Sequence, residues 1–172
     1  THEGGIRVPM IANWPGKIKP GIETEHISAF YDVFPTLCEI ADIPIPEDTD
    51  GISYLPTLLG KKQKEHEFLY WEFPEYQGQH AVRMGKWKGI GGGRGKKGLR
   101  LYDLSKDIGE ENDIAVQHPD IAKKITEIME KEWVAPRKQT DDGKYTGRAP
   151  KLKTPKKPKK NNKNNKNNKK KT

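Results

Sequence analysis

At Phe68 the hydrophobic pattern of this chain changes its period, and that change limits what the chain can fold into. Upstream, Val33, Phe34, Leu37, Ile40 and Ala41 fall at the i, i+1, i+4, i+7, i+8 spacing of one helical face. The spacing predicts a helix from Ser28 to Asp42, capped by Ser28 or Asp32. Pro35 is then confined to the first turn, where its missing N–H costs little. Cys38, near that face, reads as a small buried hydrophobe. Asp50-Gly51-Ile52-Ser53 predicts a turn, and a short helix from Leu55 to Leu59 stops at Gly60 as C-cap. Lys61 to Glu67 is a charged, solvated link. Downstream the period is two. Phe68–Phe73 is rich in aromatic β-formers, and Gln79–Met84 alternates. Gly85-Lys86 turns the chain back into Trp87–Ile90, a hairpin signal. A loop rich in glycine and lysine, Gly91 to Gly98, leads to one more strand, Leu99–Leu104. The expectation is one small antiparallel sheet of four strands. A helix from Pro119 to about Trp133, striped by Ile121, Ile125, Ile128 and Met129, is available to cover one face.

The chain opens on Thr1-His2-Glu3-Gly4-Gly5-Ile6-Arg7-Val8-Pro9 and runs on through Met10-Ile11-Ala12-Asn13-Trp14-Pro15-Gly16. Adjacent glycines allow positive φ or close approach to another group, and charged Glu3 and Arg7 flank them. The pattern reads as a loop that delivers polar groups and then enters a buried strand from Val8 to Trp14. Pro9 sits near the start of that strand or on an edge, because it cannot donate to a ladder. Pro15-Gly16 closes the run with a turn.

Composition needs care. The formal charge is +8, but residues 151–172 hold eleven lysines and no acid; removing those eleven leaves −3 on the first 150 residues. The folded part is mildly acidic. The Lys/Asn-rich tail has almost nothing to bury and is expected to be disordered. Its polycationic character invites a nucleic-acid reading, but it lacks aromatic interleaving or a recognisable module. One cysteine excludes an internal disulfide framework. No run is long and apolar enough to span a bilayer. Beginning in mid-motif and without Met, the sequence reads as the C-terminal piece of a longer protein.

Glu3-Gly4-Gly5-Ile6-Arg7-Val8-Pro9, the apolar run and Trp14-Pro15-Gly16 resemble the type I sulfatases, the arylsulfatase-like members of the alkaline-phosphatase-type hydrolases. So do Tyr31-Asp32-Val33-Phe34-Pro35-Thr36-Leu37-Cys38-Glu39-Ile40-Ala41 and Asp50-Gly51-Ile52-Ser53 with Leu58-Leu59-Gly60. Three later segments continue the resemblance: Ala81 to Lys88, Leu101-Tyr102-Asp103-Leu104, and Asp107-Ile108-Gly109-Glu110-Glu111-Asn112-Asp113-Ile114-Ala115. In the last of these the family usually has Pro where Ile108 stands, and a turn can form without it. The resemblance covers about residues 1–133. It implies an α/β fold in which 1–67 ends the large alkaline-phosphatase-like α/β domain. Residues 68–134 then form a small four-stranded antiparallel sheet packed against a C-terminal helix, and 135–172 a disordered tail.

The same resemblance implies hydrolysis of sulfate esters, on a sulfated carbohydrate or an aryl sulfate. A formylglycine made from a Cys or Ser is the family's nucleophile, and a cation, usually Ca2+, is held by Asp and Asn side chains. Neither the nucleophile nor the cation ligands match residues of this chain. Cys38 is followed by Glu39-Ile40, not by the modification motif, so no catalytic residue and no metal ligand is assigned and the chain alone is expected to be inactive. Thr1, His2, Glu3, Gly4, Gly5 and Arg7 become supports of the active-site loop, with Gly4-Gly5 allowing close approach to the sulfate. Glu3 and Arg7 are expected to fix the loop by hydrogen bonds and ion pairs rather than to touch substrate. His80, Arg83, Trp71 and Glu72 are candidates for contact with a sugar; the alternative is that Trp71 and Phe73 face the sheet core while His80 is solvated. The family implies a secreted or periplasmic protein. Two competing readings stay open: a non-catalytic fragment binding polyanions or nucleic acid through Lys151–Thr172, and a phosphoester or phosphonate hydrolase of the same superfamily.

Overall fold

The computed structural model describes residues 1–73, 78–92 and 98–133, and the backbone of 138–139 and 145–146. Thr1–Pro136 forms one compact unit. In a second unit, Arg137–Thr172, the described backbone is a two-stranded antiparallel ladder, Lys138–Gln139 with Tyr145–Thr146. Of the expected disordered tail, 135–172, only this ladder is described; the rest, including 151–172, lies outside the described residues.

Four strands, β1 (Leu69–Phe73), β2 (Gln79–Met84), β3 (Trp87–Gly92) and β4 (Leu99–Asp103), form an antiparallel meander in the order β1-β2-β3-β4. The expected hairpin is present: Met84 pairs with Trp87 across a two-residue turn, and Gly85 takes φ +57°, which a side chain would resist. Lys86 of that turn donates to Asp103 Oδ2 at 2.8 Å and its carbonyl accepts from Leu104 N, so the turn is tied to the end of β4. Hydrogen bonds from Lys86 and Ser105 hold the Asp103 carboxyl down at about 2.

Strand alternation gives the sheet two faces with different contents. On one, Val82 and Leu101 pack with Tyr70, Met84 and Trp87 against the helix Pro119–Glu132, whose Ile125 is fully buried. Ile121, Ile128 and Met129 complete the contact, as their spacing predicts, and Pro119 is the first helical residue. Gly89 lets the helix approach this closely, since a Cβ there would lie 2.4 Å from Ile125 Cγ2. On the other face Ala81, Ile90, Tyr102 and Leu104 cluster with Trp71.

The first 67 residues depart further from expectation. The helix begins as a 3-10 turn at Phe30–Asp32 and is α-helical only over Val33–Ile40, with Pro35 in its first turn. Its buried side is Asp32, Pro35, Thr36 and Cys38, while Phe34, Leu37 and Ile40 of the expected apolar face are exposed. Residues 8–14 form no strand. Val8, Met10 and Ile11 are exposed and make no ladder with any described strand, so the expected buried strand is corrected to a segment without regular structure, of which Trp14 alone among the large apolar residues is partly covered. The turn at Pro15-Gly16 does form, with Gly16 at φ +77° and Lys17 N donating to Trp14 O.

Asp50-Gly51-Ile52-Ser53 carries no turn and no other regular structure. It lies against the 3-10 turn so closely that a Cβ on Gly51 would stand 2.4 Å from the Tyr31 carbonyl oxygen. That contact, not a reversal of direction, is what requires glycine there. Asp32 organises the region. Its carboxylate accepts from Ala29 N at 2.7 Å and Ile52 N at 2.8 Å, and pairs with His66 Nε2 at 2.8 Å. Burial beside Asp32 and Asp50 pushes the Tyr31 phenol up to about 12. A short helix, Leu55–Leu58, follows and ends at Gly60 with φ +67°, as its sequence signals.

Candidate active-site edge

The opening segment and the sheet meet around one buried ammonium. Lys88 has the same strand parity as Ile90, which places its side chain on the face away from the helix, where it is fully buried. Its Nζ donates to Glu3 Oε1 at 2.7 Å, stands 3.8 Å from Glu110 Oε1, and lies 4.8 Å from the centre of the Trp71 ring. A buried cation needs partners of this kind, since burial without them costs several kcal/mol or so. Arg83 adds a second cation, Nη1 to Glu3 Oε2 at 3.3 Å, and braces itself on the hairpin turn through Nε to Gly85 O.

Glu110 reaches this cluster from a distant loop. Asp107 accepts from the backbone N–H groups of Glu111 and Asn112, and those bonds, Asn112 first, hold its carboxyl below the usual range. The resulting turn forms with Ile108 in place of proline and sets Glu110 at φ +55°, an uncommon conformation for this residue type. Glu110 Oε2 then accepts the backbone N–H of Glu3 at 2.9 Å and meets His2 Nδ1 at 2.7 Å. Its Oε1, buried, accepts no hydrogen bond, so the ammonium of Lys88 is the nearest charge that offsets it.

The expected loop at Gly4-Gly5 is instead a single helical turn, Glu3–Ile6, closed by Arg7 N on Glu3 O at 2.8 Å. Neither glycine has positive φ, and a Cβ on either would meet nothing within 4 Å. Thr1 bonds through its hydroxyl to the Gln79 side chain. His2 keeps 43% of its side chain exposed, whereas Glu3 is buried and held by two cations. Arg7 is exposed, and its guanidinium pairs with no described residue. The strip from Trp71 to Arg83 is divided by strand parity. Trp71 and Arg83 stand on the Lys88 face; Glu72 and His80 stand on the helix face, 3.9 Å apart, with Tyr70 OH 2.9 Å from His80 Nδ1. Arg83 also lines a cleft of about 100 Å³ with Glu25, His26, Glu65 and His66. Burial there lowers the His26 pKa.

Such a cluster positions; it does not react. Two cations match two buried carboxylates, with His2 at the rim. Among the described residues no group of three or more His, Cys, Asp or Glu could hold a metal ion. Glu3 and Glu110, the buried acids nearest the turn, are already engaged, so a calcium ion does not fit here and none is assigned to these residues. Cys38 is buried and unpaired. Among the described residues no helix is long and apolar enough to cross a membrane.

Residues 1–139 match the family model described as N-sulphoglucosamine sulphohydrolase, C-terminal. The chain belongs to the type I sulfatases. It is 31% identical over 146 residues to an N-acetylgalactosamine-6-O-sulfatase of Bacteroides thetaiotaomicron, covering 76% of this chain and 28% of that protein. It is 36% identical over 138 residues to arylsulfatase A of Homo sapiens, covering 66% of this chain and 27% of the relative. Among solved structures, a 2-O GAG sulfatase superposes with TM-score 0.51 at 33% identity, over 58% of this chain and 23% of that one. The chain therefore spans about a quarter of the length of these sulfatases. The four-stranded sheet with its covering helix belongs to the alkaline-phosphatase-like sulfatase fold.

Lys88 and Glu110 lie in segments that carry the family resemblance, yet their meeting with Glu3 was not read from the sequence. Parity offered a signal for Lys88, a lysine in register with Ile90 and facing the same cluster. For Glu110, between exposed Gly109 and Glu111, no local pattern gave one.

Proposed function

We propose that this chain is the C-terminal part of a sulfate ester hydrolase, with 1–67 completing its large domain and 68–134 forming the small subdomain. The turn Glu3–Ile6 stands at the edge of its active site. The observation that carries this reading is the family match over residues 1–139, which includes both segments joined at Lys88. The nucleophilic formylglycine and the calcium ligands belong to residues outside this chain. Val8, Met10 and Ile11 in one segment, and Phe34 and Leu37 in another, are exposed apolar side chains, of the kind that marks an interaction surface where they gather. On this reading those side chains are where the remainder of the catalytic domain would pack. The likeness to an N-acetylgalactosamine-6-O-sulfatase and a 2-O GAG sulfatase supports a sulfated carbohydrate as substrate, that to arylsulfatase A an aryl sulfate, and the same kinship supports a secreted or periplasmic location.

The test is release of inorganic sulfate by the full-length protein from 6-O-sulfated N-acetylgalactosamine, a 2-O-sulfated glycosaminoglycan disaccharide and an aryl sulfate. Sulfate release is expected from at least one of the sugars. Turnover of phosphate or phosphonate esters alone would sink the reading, and so would activity of residues 1–172 by themselves.

The lysine tail adds a nonspecific contact with the polyanionic substrate. Deleting residues 151–172 should weaken retention on a sulfated matrix at low salt and leave turnover of a monosaccharide sulfate unchanged. Equal retention of the two proteins would dismiss that role.

A further inference from the structure

The turn Glu3–Ile6 has little of its own to hold it. It is four residues long, two of them glycines around which a Cβ would find open space, and no side chain caps its start. A helix this short is not stable alone. Polar bonds anchor it: Glu3 Oε1 on Lys88, Glu3 Oε2 on Arg83, Glu3 N on Glu110, His2 on Glu110, and Thr1 on Gln79. Arg83, Lys88 and Gln79 belong to the sheet, and Glu110 to the loop that follows it.

Buried ion pairs are an inefficient source of stability, because desolvation offsets most of the attraction, and apolar side chains of like volume often do better. What they provide is direction. A 2.7 Å bond from a fully buried ammonium and a 2.9 Å bond from a backbone N–H fix the turn along two different lines. Lys88, between two carboxylates, joins the turn to the 107–113 loop in one cluster.

We infer that Lys88 and Glu110 are positioning residues for the reaction: they hold the Thr1–Ile6 turn against the small sheet, and the active-site edge is placed through them. This rests on the sulfatase reading for its catalytic half, while the structural half stands independently. Neither residue touches substrate, because Lys88 is fully buried and Glu110 nearly so.

The experiment uses the full-length protein with Lys88→Met, Glu110→Gln, and the double variant Glu3→Gln with Lys88→Met. The double variant restores the net charge of the cluster, which Lys88→Met alone leaves one unit more negative. In Lys88→Met, kcat and kcat/KM should fall together by about 100-fold at a temperature where circular dichroism shows the fold intact, as a 1 Å misplacement can produce. Glu110→Gln should fall in the same direction. The double variant should regain much of the lost thermal midpoint without regaining kcat. Amide exchange at Glu3 and Arg7 should accelerate in Lys88→Met and stay fast in the double variant. If Lys88→Met does not fold, the double variant and Glu110→Gln are read in its place. A folded variant with kcat within threefold of the parent overturns the inference, as does a double variant that recovers activity together with stability. A parent protein that cleaves no sulfate ester refutes the sulfatase reading instead. Amide exchange then decides the structural half, and unchanged exchange at Glu3 and Arg7 overturns it.

Discussion

Asp32→Ala is expected to lower the unfolding free energy by about 3–5 kcal/mol, the range for breaking a buried, hydrogen-bonded ionic hub. The carboxylate is almost wholly buried and serves three partners from separate stretches: Ala29 N, Ile52 N and His66 Nε2. Truncation strands two backbone donors, each costing about 1–3 kcal/mol when left unsatisfied in a buried place. The imidazole of His66, only 10% exposed, loses its acceptor as well. Asp32→Asn keeps one acceptor oxygen and the side-chain volume, so it should cost distinctly less than alanine. Urea denaturation of the two variants beside the parent makes the comparison. A loss below about 1 kcal/mol for alanine would mean that water replaces the carboxylate and that the hub is not what orders this region. His66 precedes β1 by only three residues, so the same bond also fixes where the sheet begins relative to the helix Val33–Ile40.

Ile125→Ala should cost about 2–5 kcal/mol, the range for emptying a fully buried aliphatic site. Ile125 sits at the centre of the contact with Val82 and Leu101, and its Cγ2 fills the space that Gly89 leaves. Because Gly89 contributes no side chain, the site has little to collapse with, which places the expected loss in the upper half of that range. Ile121→Ala, at a partly exposed position of the same stripe, should lose less. Chemical denaturation decides, and equal losses at the two positions would contradict the packing described. Since the helix covers only one face, Ile125→Ala should leave the Glu3–Lys88 bond intact in whatever fraction stays folded. Unchanged KM with a lower thermal midpoint is therefore the expected kinetic picture for a sulfatase carrying it.

The elements from β1 to the last helix were legible in the sequence because everything that determines them is local or lies within the chain. Alternation at Gln79–Met84, the Gly85 turn and the Ile121–Met129 stripe each point to a partner that is present. The first 45 residues were read less well for the same physical reason inverted. Val8, Met10, Ile11 and the Phe34, Leu37, Ile40 face carry patterns that ask for burial, and all six stay exposed among the described residues. Periodicity shows that a face is apolar; it cannot say what lies across from it. The candidate site was half legible. Glu3 as an anchor follows from its charge and setting, but its partners come from 80, 85 and 107 positions along the chain, and no spacing rule joins those. Grouping His80 with Arg83 and Trp71 with Glu72 overlooked parity, since odd separations on a strand fall on opposite sides of the sheet.

That parity bears on how such a protein can change over generations. Glu72 and His80 share a surface with Tyr70, whereas Lys88, Arg83 and Trp71 share the other with Glu3. A single thin layer thus carries two independent inheritances, one side locked by its bonds to the opening segment. The other side answers to the helix Pro119–Glu132 instead, so a change at Glu72 or His80 need not loosen what the first side holds.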